Sequence, residues 1–493
     1  MLQLHPSSRP ALLATFALAL AAGASHISAQ VLTPGDLVVS AYGTPTSTGL
    51  IDGQAVPISL QVFTPSTTVT DESPNSVTVL NGIDGEYGSS SEGNIQVTGN
   101  DQELTIAGYN ATQAAAGIGA YTAGTAGNGT GNFPGNNGDS SSGNSWSDNL
   151  GQPYGGTAAS GATASTATEV PLGQSSPADV ARLADVIDAN GNVVSSTSFA
   201  NIYNTNNPRS AYSATGASIY ISGQGDSKSD GDEGLFYSST TGASYSGSTK
   251  PTSIYTANDT RYVTGNSNGN LFLSLDKKNS PTGVFEYSTA PTTSQGSSTG
   301  TQITQGQNTA AFLGVNAGAY AGTDNSPEGF WFANPSTLYV ADTGVPKISS
   351  SVTGAGGIQK WTLSGSTWTL QYVLTPSNFV PANQAAGATS GETGFEAITG
   401  EVVGGVVDLY AVSYTAGDDN PNGLYAISDT LTATSDAGET FTELASAAGS
   451  GQENFKGVAF TPEAAPEPSS WALAGICLAA FAWLRNRARR TLA

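Results

Sequence analysis

Six charged residues head segments of like pattern along this chain of 493 residues: Glu92, Arg209, Arg261, Glu328, Glu396 and Lys456. At equivalent positions they would form a ring of three acidic and three basic groups. Two chemistries suit such a ring. Paired carboxylates support glycoside hydrolysis when their separation fits, and Glu328 with Glu396 is the best-matched pair. The other chemistry is structural, a belt of ion pairs pinning successive segments together. Mixed sign argues against a dedicated anion or nucleic-acid channel. Acidic turns add a calcium option at Asp226, Asp230 and Asp232, at Asp418 and Asp419, and at Asp84 and Glu86. The first is not an EF-hand, because Lys228 stands at the third ligand position and Tyr237 at the twelfth. Solvated turn chemistry explains the same residues, and any calcium affinity expected there is in the weak, extracellular range. Trp331, Trp361, Trp368 and Tyr339 suit either sugar stacking or, at strand alternation, a core. No nucleophile elbow, P-loop or dinucleotide fingerprint is present, so no catalytic residue is assigned.

Histidine and cysteine chemistry is nearly absent. The two histidines are His5 and His26, both inside an N-terminal segment that reads as a secretory signal. Arg9 supplies its positive start, an apolar run follows from Ala11, and small residues lead to cleavage after Ala29, with Ala24 as the earlier alternative. Removal of residues 1–29 leaves a mature chain with no histidine, which excludes Ser-His-Asp and Cys-His catalysis and histidine-ligated metals. The single cysteine, Cys477, excludes an intramolecular disulfide framework.

The elements that must position the charged ring are short β-type runs separated by Gly, Asn, Asp, Ser and Pro, with no helical period. Three segments align without gaps: Arg209 leads to Ile219-Tyr-Ile-Ser, Arg261 to Leu271-Phe-Leu-Ser, and Glu328 to Leu338-Tyr-Val-Ala. Glu92 and Glu396 head copies with small insertions, and Lys456 heads a partial one. Gly-led strands follow at Gly234, Gly283, Gly357 and Gly423. A repeat of about 50–70 residues with three or four strands fits an all-β propeller better than a β-solenoid or a pair of sandwiches. Six blades are expected, seven being the alternative. The last unit stops after one strand, and the early segment from Gly35 has strands without a charged start, so the two halves would complete one blade and close the ring. Residues 113–176 read as a low-complexity surface insertion, and Ala290 to Thr309 as a smaller one.

The C-terminus runs Pro466-Glu467-Pro468, then the apolar Trp471 to Leu484, then Arg485, Arg487, Arg489 and Arg490. As a helix, residues 471–484 would span roughly 21 Å, short of a ~30 Å bilayer core, with the arginines snorkelling to cytoplasmic headgroups. This arrangement resembles a PEP-CTERM sorting signal over residues 463–493, with Ala465 where Val is common before the motif. The resemblance implies an exosortase substrate exported from a Gram-negative-type bacterium that makes exopolysaccharide or biofilm matrix. It implies secretion machinery and an exosortase-type protease as partners, exopolysaccharide as a further one, and transient residence in the inner membrane. A propeller-like ectodomain, residues 30–462, on such a tail resembles predicted bacterial surface proteins.

Composition agrees with export. Charged residues are 11% of the chain, Gly and Pro number 61 and 24, and the net charge is −23. Loss of Arg9 and the four tail arginines leaves 10 basic residues against 38 acidic, about −28, which argues against a nucleic-acid partner. The reading is a non-enzymatic surface or matrix protein with no required cofactor. Its alternatives are a carboxylate- or calcium-dependent propeller enzyme acting on polysaccharide or lactone, and a calcium-dependent adhesin.

Overall fold

The computed structural model describes residues 32–110, 130–132, 145–147, 180–304, 326–344, 356–379 and 391–463, less short breaks within these ranges. The signal segment, most of the 113–176 insertion, the Pro-Glu-Pro motif with everything after it, and Asp226, Asp230, Asp418 and Asp419 lie outside the described residues.

The described residues form 27 strands and no helix. In chain order they begin with β1 (Leu37–Gly43), β2 (Ala55–Phe63), β3 (Ser76–Glu86), β4 (Ile95–Val97) and β5 (Leu104–Tyr109). Next comes a small antiparallel pair in the low-complexity region, β6 (Thr130–Asn132) with β7 (Ser145–Ser147). Then follow β8 (Arg182–Ile187), β9 (Val193–Phe199), β10 (Pro208–Tyr212), β11 (Ile219–Gly223), β12 (Gly234–Ser238), β13 (Ser244–Tyr245) and β14 (Thr252–Tyr255). The next eight are β15 (Thr260–Gly265), β16 (Leu271–Leu275), β17 (Gly283–Tyr287), β18 (Thr301–Gln302), β19 (Pro327–Asn334), β20 (Thr337–Asp342), β21 (Gly357–Ser364) and β22 (Thr367–Leu374). The last are β23 (Glu392–Val403), β24 (Val406–Thr415), β25 (Gly423–Thr430), β26 (Thr442–Ser446) and β27 (Glu453–Phe460).

Four separate four-stranded antiparallel sheets result: β10-β11-β12-β14, β15-β16-β17-β18, β19-β20-β21-β22 and β23-β24-β25-β26. A fifth sheet runs β13-β9-β8-β5-β3-β2-β1-β27, with β4 on β5, and no sheet closes on itself. Its middle is thin, since β3 meets β5 only at Asp84↔Tyr109. On either side of that joint lies another four-stranded unit, β27-β1-β2-β3 and β4-β5-β8-β9. The first of these is built from both ends of the described chain: Leu37 pairs with Phe460 and Gly43 with Glu453.

The first strands of the six units pack side by side in one continuous round, β4 on β10, β10 on β15, β15 on β19, β19 on β23, β23 on β27, and β27 on β4. An apolar cluster fills each junction. Tyr220 and Leu235 meet Val263 and Leu273 at one, and Tyr262 and Phe272 meet Phe330 and Leu338 at the next. Ile358 and Tyr339 meet Phe395 and Leu409, then Val412 and Leu424 meet Leu37 and Phe455. Leu60 and Ile83 meet Ile95 and Ile106, and Ala107 and Val186 meet Ile219 and Phe236. Each Val, Leu, Ile or Phe among them contributes about 1.5–3 kcal/mol on full burial. Strands β10, β11 and β16 are buried along their whole length because other units cover both faces. The outer strands β3, β9 and β22 alternate partly buried and exposed residues over part of their length.

The polar stretch from Ala290, expected as a surface insertion, supplies β18 on the edge of its sheet. An edge strand needs only backbone groups to pair, so its polar composition hides it. Trp361 and Tyr339 are core residues, and Trp331 and Trp368 pack partly buried against the same clusters.

Candidate functional site

The six charged residues lie in or just before the first strands, at differing positions along them. Arg209, Arg261 and Glu328 are each the second residue of β10, β15 and β19. Glu396 and Lys456 lie inside β23 and β27, and Glu92 precedes β4 by three residues. All but Arg261 are buried, and its side chain is only 13% exposed.

One half of the round is a chain of ion pairs. Arg209 Nη1 donates to Asp259 Oδ1, which also stands 2.8 Å from Arg261 Nε in a second ion pair. Arg261 Nη1 donates to Glu328 Oε1, and Arg209 Nη2 reaches Gln224 Oε1 at 2.7 Å. Burial acts to raise the Asp259 carboxyl, but the two guanidinium charges and their hydrogen bonds outweigh it and hold it below the usual carboxylate range. Asp259 adopts φ 65°, a left-handed conformation that Asp tolerates, and this turns the chain just ahead of β15.

The other half is a buried polar cluster. Glu92 accepts from the Tyr109 hydroxyl at 2.5 Å and from Tyr42 at 3.3 Å. Burial pushes its carboxyl up to about 7, against the opposing hydrogen bonds and the Lys456 charge. Lys456 Nζ donates to the Ser89 carbonyl at 2.6 Å and stands 5.7 Å from the Tyr42 ring centroid. Gly93, at φ +80°, makes this approach possible: a Cβ there would lie 2.7 Å from Lys456 Cβ. Arg182, fully buried, lies over Tyr109 and donates to the carbonyls of Val180 at 2.7 Å and Asn206 at 2.9 Å.

Glu396 faces this second half. With Lys456, Ser89, Ser413, Asn422 and Asn454 it lines a small polar pocket. Asn422 holds the wall in place, donating to the carbonyls of Ser413 and Phe455 and accepting from Phe455 N–H. A Cβ at Gly329 would lie 3.1 Å from the Glu396 carbonyl oxygen; the Glu328 carboxylate goes to Arg261, and Glu396 lines the Lys456 pocket.

Of the calcium candidates, Asp232, Asp84 and Glu86 lie within the described residues; Asp84 and Glu86 end β3, and Asp232 is buried and accepts from Asn204 N–H at 3.2 Å. Among the described residues no group of three or more His, Cys, Asp or Glu side chains is set to hold a metal. Sequence reasoning missed Asp259, Arg182 and the two tyrosines on Glu92. It also missed a second network off the ring, where Lys360 and Asp429, both fully buried, pair at 2.9 Å. Tyr339 and Tyr372 add hydroxyls to Asp429 at 2.5 and 2.7 Å.

No curated protein matches the chain. An acylaminoacyl peptidase in complex with Z-Gly-Gly-Phe-chloromethyl ketone aligns at 8% identity and a TM-score of 0.29, over 77% of this chain. The alignment spans 42% of that peptidase, under half its length. A polysaccharide lyase, an ulvanlyase, aligns at 10% identity and a TM-score of 0.33, covering 83% of this chain and 85% of its own. At such scores these likenesses assign neither fold nor chemistry. The family model for the PEP-CTERM protein-sorting motif matches residues 464–487. The chain thus carries a PEP-CTERM sorting signal, which makes it an exosortase substrate, exported and sorted to the cell envelope or surface.

Proposed function

We propose that residues 30–462 are a six-bladed β-propeller, delivered as a non-enzymatic component of the cell surface or exopolysaccharide matrix of a Gram-negative-type bacterium. The apolar segment 471–484 anchors the exported chain in the inner membrane until cleavage near Pro466-Glu467-Pro468 releases it. Six four-stranded units, six apolar junctions and the pairing of β27 with β1 support the propeller. The observation that carries the non-enzymatic reading is the chaining of Arg209, Asp259, Arg261 and Glu328, which commits half of the ring to self-neutralisation.

The test is the substitution of Pro466, Glu467 and Pro468 by alanine. The variant accumulates uncleaved in the inner membrane, and its normal release overturns the reading.

One observation favours a second reading, a carboxylate-dependent enzyme on polysaccharide. Glu396 and Lys456 share a polar pocket, and Glu92 nearby titrates near neutrality, as acid–base groups do. Depolymerising activity that Glu396→Gln abolishes in an otherwise stable protein would decide for it. The adhesin alternative requires calcium at Asp226, Asp230, Asp232, Asp418 or Asp419, and a calcium-dependent rise in melting temperature tests it.

A further inference from the structure

Among the described residues, the large apolar side chains left exposed are all valines: Val402, Val403 and Val406, Val69, Val77 and Val79, and Val194. They belong to three consecutive units and sit at one end of the strands. In the unit of β27, Phe460 pairs with Leu37, Leu37 with Phe63, and Val62 with Ser76. The β2–β3 connection with Val69, and Val77 and Val79 early in β3, therefore lie at the end where β27 finishes. In the next unit β4 finishes at Val97 opposite Leu104, and Leu104 pairs with Ile187. That places Val194, at the start of β9, at the same end. In the unit on the other side, Tyr410 pairs with Thr399 and its ring packs on Phe460 at 5.9 Å. The β23–β24 hairpin continues past that level to a tip, Val402-Val403-Gly404-Gly405-Val406.

The chain leaves the fold from this end too. Thr461 N–H bonds to the Asp36 carbonyl at 2.9 Å, and Glu463 N–H to the Asp101 carbonyl at 2.7 Å. Only residues 464–470 separate that anchor from Trp471, where the apolar run begins. A fully extended chain of that length reaches no more than about 30 Å. While the apolar run sits in a bilayer, the valine-bearing end is confined to the membrane surface at high effective concentration.

The same end is acidic. Asp36 neighbours Glu72, Asp101 neighbours Glu463, and Glu103 neighbours Asp188. Anionic lipid repels such a surface, so the valines can engage lipid only under the constraint of the tether.

We propose that this end is a membrane-facing surface, with the Val402–Val406 hairpin tip seated at the headgroup–acyl boundary while the tail anchors the chain, and that cleavage of the tail dissociates it. Valines at a hairpin tip supply a small apolar area, too little to hold a protein alone against like charge. The surface therefore orients the propeller on the bilayer before cleavage and lets go afterwards. The proposal rests on the anchoring reading given under Proposed function.

The experiment uses the full-length chain in a Cys477→Ser background, labelled with an environment-sensitive fluorophore at Val403→Cys. The control carries the label at Ser377→Cys, exposed just past β22 at the opposite end. Both are reconstituted with phosphatidylethanolamine–phosphatidylglycerol vesicles carrying a nitroxide lipid. The expected result is flotation of both proteins with the vesicles, a blue shift and several-fold stronger quenching at position 403 than at 377, and loss of both signals in a chain ending at Glu463. Flotation with equal quenching at the two positions overturns the membrane-facing surface and leaves anchoring intact. Absence of flotation overturns both. A blue shift without nitroxide quenching, growing with protein concentration, assigns the valines to a second copy of the chain and also overturns the proposal.

Discussion

Arg261 Nη1 donates to Glu328 Oε1, joining the second residue of β15 to the second residue of β19 across the boundary between two four-stranded units. Asp259 extends the contact to Arg209 on β10, so one polar chain ties three neighbouring first strands. Gln96 does the same with neutral groups, its side-chain amide donating to the carbonyls of Ala211 at 2.8 Å and Val263 at 2.7 Å. First strands packed side by side offer little apolar area where they converge. Directional polar contacts fix their register instead.

Removing one partner from that chain leaves buried carboxylates without their cation. Arg261→Met is expected to destabilise the ectodomain by about 3–5 kcal/mol in denaturant unfolding. Arg261→Met combined with Glu328→Met is expected to recover part of the loss, because the pair is then replaced by apolar volume. A single variant within about 1 kcal/mol of wild type contradicts a structural role for the ion-pair chain.

Stability should fall as pH rises through the weakly acidic range. Glu92 titrates near 7 in the folded protein against an ordinary value of 4.5, and buried Asp185 also rises to about 7 from 3.8. The folded state then binds more protons than the unfolded one between about pH 4 and 7, so ionisation costs stability there. Asp259 has the opposite sign: its depressed carboxyl stabilises the fold above pH 3.8, and that contribution is lost as pH falls below it. Urea midpoints measured from pH 4.5 to 7.5 should decline in the wild type and decline less in Glu92→Gln.

The repeat of charged residues ahead of apolar runs fell in or just before the first strand of every unit. The unmatched ends, Gly35 onward and Lys456 onward, pointed to each other, and β1 does pair with β27. What remained hidden depends on contacts that periodicity does not carry. Asp259 lies outside its strand in a left-handed turn, and Arg182 follows the insertion with no earlier copy to align to. Strands of two or three residues, such as β4 and β18, are too short to alternate. The Lys360–Asp429 pair looks like two ordinary strand residues until β21 and β25 are seen to approach across a unit junction.

That second network makes its own prediction. Lys360 Nζ also reaches Tyr372 Oη at 2.9 Å and the Thr430 carbonyl at 2.7 Å, so its charge is fully satisfied without solvent. Lys360→Met should cost about 3–5 kcal/mol by stranding Asp429 beside two tyrosine hydroxyls. Lys360→Met with Asp429→Leu should be milder than Lys360→Met alone in the same unfolding assay. If the double variant is the worse of the two, the pair contributes net stability beyond satisfying each other's burial.

The last strand is the sharpest test of how the round is held shut. β27 pairs with β1 from Leu37 to Gly43, and Phe455 packs edge-on against Phe63 with ring centroids 6.2 Å apart. It also carries Lys456 into the Glu92 cluster. A chain ending at Glu463 keeps all of this and should melt as one cooperative unit. A chain ending at Gln452 exposes the whole β1 edge and the Leu37 and Val39 side of a junction cluster, so it should aggregate or bind hydrophobic dye strongly. Adding back a peptide of residues 453–463 should restore the cooperative transition, since strand addition to an open edge recovers the backbone ladder. A Gln452 truncation that melts like the longer chain would mean that the six units stand without closure.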